Sequence, residues 1–283
     1  MSNSVKAGDG VQTSVADVTA WWSTGVSRIA PGEIDLRGYP IADVINNLDF
    51  VSTIWLMTRG ELPTAPQKVL LEAALVASVD HGPQAPSIAS ARMAITCGVG
   101  LNSAIANGVN VLGDAHGGAG QQGVQMLNLI VEQVRNGANL EDAVAELLEG
   151  YRVTKTYVPG FGHRFHPRDP RRDPLLARVD TAVAEGAISG EYLAVGLAIE
   201  AALAAGRTRA VPMNIDGITA IIYAELGVEP ELARGLFILS RSVGITAHAW
   251  EERQSGRRIK GPIPPPLLAD YVGEPPRSIR VTQ

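Results

Sequence analysis

Five histidines occur in the 283 residues, and three of them, His81, His116 and His163, stand in glycine- or proline-rich turns. The turns read Asp80-His81-Gly82-Pro83, Gly113-Asp114-Ala115-His116-Gly117-Gly118 and Gly160-Phe161-Gly162-His163-Arg164. A histidine flanked by glycine can approach a ligand closely because no neighbouring side chain stands in the way, and glycine amides can themselves donate to an anion. Taken singly, each is as readily a packed loop histidine. Asp216 follows Pro212 in Asn214-Ile215-Asp216-Gly217, where an apolar helix begins. Alone it reads first as a capping carboxylate. Facing a cleft, the same carboxylate would be partly desolvated, its pKa raised, and it would serve as a better base.

Two motifs compete for attention. Gly118-x-Gly120-x-x-Gly123 has the form of a dinucleotide fingerprint, but that motif needs a strand before it and the surrounding pattern is helical. His163-x-x-His166-x-x-Asp169 has metal-ligand residue types, yet Pro167 breaks it and no flanking glutamate offers a general base, so no metal is expected.

The elements that must position these residues are mostly helices. Pro40 precedes an apolar-periodic run ending at Gly60, and Thr64 with Pro66 opens another through Ala77. Residues 87–112 are rich in alanine, glycine and small polar residues, as tightly packed helices are, and residues 139–153 place Leu140, Val144, Leu147 and Leu148 on one face. Asp173 and Pro174 read as the N-cap and first residue of a helix over 175–188. Residues 190–205, 215–226 and 230–250 complete the set. Strand-like alternation is scarce, so the expected fold is all-α, with residues 158–172 as the longest irregular loop and an extended proline-rich tail over 256–283.

Composition narrows the function classes. A chain with 46% hydrophobic residues can bury a large core, and a net charge of −5 without basic runs offers nothing to nucleic acid. Cys97 is the single cysteine, which leaves no disulfide framework or cysteine metal site and suits a cytoplasmic setting. The first thirteen residues lack the features of a signal peptide, and no stretch reads as membrane-spanning.

In the same order, residues 113–123, 159–172 and 214–252 resemble the three signature blocks of citrate synthases, with Asp35-Leu36-Arg37-Gly38-Tyr39-Pro40 and Gly60-Glu61-Leu62-Pro63 resembling two earlier stretches. The resemblance implies a citrate synthase-like fold, a large helical domain of residues 1–118 and 216–283 with a smaller one of residues 119–215, and a cleft between them. It implies that Asp216 takes a methyl proton from acetyl-CoA, that His116 donates to the thioester oxygen, and that His163 exchanges a proton with the oxygen of oxaloacetate or of the tertiary alcohol. His81, Arg171 and Arg277 match substrate-carboxylate positions, the last reaching the partner's site in a homodimer. Lys155, Gly160, Phe161, Gly162 and Arg164 would lie against the coenzyme A thioester, which is a substrate.

Within the superfamily, Ser78-Val79-Asp80-His81-Gly82-Pro83 follows Gly60-Glu61-Leu62-Pro63 after only a short helix, and with Asn214-Ile215-Asp216-Gly217 and residues 236–242 it looks most like the citryl-CoA lyase module of ATP-citrate lyase. Gly261 precedes Pro262 where synthases usually carry an arginine. His116, in contrast, is kept where the animal lyase module differs. The expectation is therefore a citryl-CoA lyase forming acetyl-CoA and oxaloacetate, with a CoA ligase as a candidate partner. A citrate or 2-methylcitrate synthase is the alternative, and a non-catalytic helical binding protein the second.

Overall fold

The computed structural model describes residues 5–6, 12–13, 15–163, 166–206, 208, 210–264 and 266–279. In chain order the elements are β1 (Val5–Lys6), β2 (Gln12–Thr13), α1 (Val15–Trp21), β3 (Ser27–Ala30), β4 (Glu33–Leu36), β5 (Tyr39–Pro40), α2 (Ile41–Asn47), α3 (Phe50–Arg59), α4 (Ala65–Ser78), α5 (Pro86–Thr96) and α6 (Leu101–Asn110). They continue with α7 (Ala119–Arg135), α8 (Leu140–Thr154), α9 (Arg172–Ala184), α10 (Glu191–Ala204), α11 (Ile215–Glu225) and α12 (Pro230–Gln254). The fold is mostly helical, as its sequence pattern implies.

Much of the punctuation acts as read. Thr64 forms a capping box with Gln67 ahead of α4, Asn139 caps α8, and Gly60 closes α3 in the left-handed conformation. Three details differ. The run from Pro40 to Gly60 is two helices, because Asp49 accepts from the Ser52 N–H and starts a new one. Asp173 is not a cap: the chain turns earlier, with the Arg172 N–H bonded to the Asp169 carbonyl at 3.1 Å, so Arg171 is the N-cap and Asp173 pairs with Arg168 and Arg172. Strands are present, since β3, β4 and β5 form an antiparallel meander in the register Arg28↔Asp35 and Leu36↔Tyr39. Their alternation runs for only four residues, and its apolar face is itself exposed, Ile29 at 76% standing opposite Ile34 at 43%.

At the centre lies α11, in which Ile215 and every residue from Gly217 to Ala224 is buried. A helix that is apolar all round must be enclosed, and α7, α10, α4 and α9 pack against it within one hydrophobic core. A second, smaller core joins α5, α6 and α12 through Ile88, Ala91, Ala104 and Ile245. The dinucleotide-like glycines span the start of α7, with no strand of the described residues leading into it. No helix among the described residues is long and apolar enough to cross a membrane.

Candidate active site

Where α11 begins, a cleft of about 440 Å³ is lined by His81, His116, Gly160, Phe161, Asp216, Phe237 and Arg241, among others. Its floor is the first turn of α11. Asn214 takes the capping duty, its Oδ1 accepting from the N–H groups of Asp216 at 2.9 Å and Gly217 at 3.3 Å. The Asp216 carboxylate is thereby released from the role its position suggests. Burial pushes its pKa up, against the pull of Arg171 and Arg241, which makes it a stronger base than an exposed aspartate.

His116 comes from the loop between α6 and α7. Its Nε2 lies 3.2 Å from the backbone N–H of Ser87 and 3.0 Å from the Ser87 hydroxyl. A backbone N–H can only donate, so Nε2 accepts and the neutral ring carries its proton on Nδ1. Ser87 lies in the first turn of α5, whose positive end also disfavours an imidazolium. Burial and then Arg241 lower the His116 pKa. His116 lines the cleft, and a neutral ring with an Nδ1–H is the kind of donor that stabilises a developing oxyanion.

The loop over 158–171 is stitched to the entry of α11. The Gly162 N–H donates to the Pro212 carbonyl at 2.7 Å, Asn214 N–H to Gly160 O at 2.9 Å, and Asn214 Nδ2 to Gly162 O at 2.6 Å, while Phe161 bridges Met213. Gly160 has φ +84, and a Cβ there would stand 2.5 Å from Gly217 Cα. Only glycine satisfies both demands, which is why the Pro-Gly-Phe-Gly motif takes this form.

Further along, Asp169 is 1% exposed and grips Arg171 through two bonds of 2.9 Å, while its Oδ2 also accepts from the Ile215 N–H at 3.0 Å. These contacts outweigh burial and hold the Asp169 pKa at about 2. Its oxygens are thus engaged within the protein, and among the described residues no His, Cys, Asp and Glu cluster has a metal-holding arrangement. Arg172, next in sequence, reaches Glu200, which in turn accepts from the Met213 N–H at 2.7 Å.

His163 and His81 meet edge to face, their ring centroids 5.9 Å apart. His163 Nδ1 accepts from the His166 N–H at 3.0 Å, placing the proton of the neutral ring on Nε2. The pKa of each is lowered, first by burial; Arg171 adds to this in both rings, against Asp169.

The structure therefore brings His81, His116, Gly160, Phe161 and Asp216 to one cleft, with His163 against His81 and Arg171 close enough to act on Asp216 and both rings. Lys155 ends α8, exposed, two residues before the cleft-lining Tyr157. Gly162 lies beside the cleft. Arg277 is exposed on the tail, and Arg164 falls outside the described residues.

One residue escaped the sequence reading. Arg241, 5% exposed, lies in α12 with its guanidinium 4.9 Å from the Phe237 ring centroid and its Nε donating to the Ser78 carbonyl at 3.1 Å. Burial lowers its pKa while Asp216 and Asp80 oppose the shift. An arginine in an apolar helical stretch was the available signal, since a cation so placed needs an anion nearby.

Residues 65–262 match the family described as citrate synthase, C-terminal domain. Among solved structures, the chain is similar to the citryl-CoA lyase of Hydrogenobacter thermophilus, with 32% identity, a TM-score of 0.81, and coverage of 92% of this chain and 97% of that one. It shares the fold of the ATP citrate lyase of Methanothrix soehngenii, solved with citrate and coenzyme A, at 19% identity and TM-score 0.74, over 95% of this chain and 46% of that one. A curated citrate synthase of Haloferax volcanii is 29% identical over 84% of this chain and 59% of its own length. The chain spans a little over half the length of the first curated relatives that it matches. With its matched segment carrying the three histidine turns, Asp216 and Arg241, this chain belongs to the citrate synthase family.

Proposed function

We propose that the protein is a citryl-CoA lyase, cleaving citryl-CoA to acetyl-CoA and oxaloacetate. The observation that carries this reading is the likeness to the Hydrogenobacter lyase, 32% identical with a TM-score of 0.81 over 92% of this chain. The site supplies the groups the reaction needs.

In this mechanism neutral His163 exchanges the bond from the His166 N–H for the substrate, and its Nδ1 accepts the proton of the tertiary hydroxyl as the bond between the carbinol carbon and the acetyl methylene breaks. The bond's electron pair moves onto the thioester, where the Nδ1–H of His116 stabilises the enolate oxygen. Asp216, in its carboxylic acid form, then delivers a proton to the enolate carbon and gives acetyl-CoA. Oxaloacetate departs with its new carbonyl, and the His163 proton returns to Asp216 through solvent. His81, Arg171 and Arg241 hold substrate carboxylates. Gly160, Phe161 and Gly162 form the wall for the thioester arm, with Lys155 and Arg164 near its phosphates. Arg277 serves the partner's site in a cytoplasmic homodimer, the division at residues 119 and 215 lets the two domains close over the cleft, and a CoA ligase supplies citryl-CoA.

The same trio can run the condensation forward, and the 29% identity to the Haloferax synthase favours that as the second reading. Incubation with citryl-CoA, following oxaloacetate and citrate separately, decides between them. Oxaloacetate without citrate supports the lyase; citrate and free CoA, also obtained from acetyl-CoA plus oxaloacetate, would replace it by the synthase; silence in both directions would remove both.

A further inference from the structure

Helix α12 holds the segment carrying His81 at four successive points. Ser240 Oγ donates to the Leu75 carbonyl, Arg241 Nε to Ser78 O at 3.1 Å, Gly244 N–H to Val79 O at 3.1 Å, and His248 Nε2 stands 3.3 Å from Asp80 Oδ1. Residues 240, 244 and 248 recur at one helical spacing and so form a single row on α12. At Gly244 a Cβ would lie 2.2 Å from the Val79 carbonyl oxygen, so the helix and the segment touch backbone to backbone there.

Asp80 immediately precedes His81, and its two oxygens are used differently. Oδ2 accepts from the Gly82 N–H at 3.0 Å, closing the turn around His81, while Oδ1 is buried and faces His248 Nε2 at 3.3 Å. The other acidic group near His248 is Glu251, 3.9 Å from Nδ1 on the solvent side of the same helix. His248 is not among the residues lining the cleft. It touches Asp80, Asp80 shapes the turn, and the turn aims the His81 ring at His163.

We propose that His248 is a positioning residue for His81, acting through Asp80. The proposal rests on the reading of His81 as a group that holds a substrate carboxylate. In the full chain, His248→Ala should raise KM for citryl-CoA about tenfold with kcat changed by less than about threefold, because misaiming a binding group weakens ground and transition states alike. His248→Gln, which retains a donor, should recover most of the loss, and adding His81→Ala to His248→Ala should cost no more than His81→Ala alone. Additive losses, or a fall in kcat alone, would overturn the proposal. Long-range proton–nitrogen spectra of the histidine rings keep it testable if the wild type cleaves no citryl-CoA, an outcome that would sink the proposed function instead. In that experiment the His81 ring signals should move in His248→Ala and in Asp80→Asn, and return toward wild type in His248→Gln; unmoved His81 signals in folded variants would refute the link.

Discussion

The backbone N–H of Ser87 donates to Nε2 of His116 across 3.2 Å, and this one bond puts the proton of the neutral ring on Nδ1. Nitrogen-15 spectra of His116 should show the Nδ1–H tautomer, neutral at pH values below the ordinary histidine pKa, because burial and Arg241 both lower it. A ring protonated at pH 7, or the opposite tautomer, would remove His116 as a neutral oxyanion donor. His116→Ala should cut kcat by about 10²–10³, the usual cost of losing one such donor.

Replacing Asp216 by asparagine keeps the shape of the α11 entry and removes the proton carrier. Turnover should fall by roughly 10³ or more, with binding of CoA within a factor of about three. Exchange of acetyl-CoA methyl protons with deuterated water isolates this step and should vanish in the variant. Since the folded pKa is raised above the usual carboxylate value, proton abstraction by Asp216 should fail on acidification at a higher pH than an exposed aspartate would impose.

Asp169 should matter for stability as well as for the site. Its folded pKa of about 2 lies below the ordinary 3.8, so the stabilisation is fully present above that ordinary value and disappears as pH falls through about 2. Asp169→Asn should cost roughly 2–3 kcal/mol near neutral pH, from a shift of nearly two pKa units. Thermal denaturation of both proteins across pH checks this: the gap should hold above pH 4 and close toward pH 2. A gap independent of pH would mean that the ion pair with Arg171 contributes little.

Arg241→Lys retains the charge but loses the planar stack on Phe237 and the Nε bond to Ser78. Steady-state kinetics should show KM for the carboxylate substrate raised about tenfold or more. An unchanged KM would exclude a carboxylate contact at this position.

Gly160→Ala forces a methyl group to within 2.5 Å of the Gly217 backbone at a left-handed φ. Strain of about 1–2 kcal/mol and overpacking of about 1–3 kcal/mol should combine to lower the denaturation midpoint and loosen the site. A variant with unchanged stability and activity would show that loop 158–171 has room to shift.

Most of the helices were legible because periodicity and caps such as Thr64, Asn139 and Gly60 are local signals. The turns that place His81, His116 and His163 at or beside the cleft were legible because glycine and proline leave a recognisable signature around a histidine. The small sheet at residues 27–40 was not, since its strands run for only two to four residues, too short for alternation to stand out from chance. Asp173 misled because Asp-Pro looks like a helix start wherever it falls, while the start here is set by the Asp169 turn. Arg241 and His248 stayed hidden for another reason. Each acts on a segment more than 150 positions away in the chain, and no local pattern reports such a contact.

The bonds joining Gly160, Gly162 and Asp169 to Pro212, Asn214 and Ile215 also bear on how such proteins can be rebuilt. A loop transplanted from a relative without its matching helix entry would arrive with donors and acceptors out of register. The two stretches, some 50 residues apart, behave as one exchangeable cassette, so a library seeking new acyl or oxo-acid specificities should recombine them together.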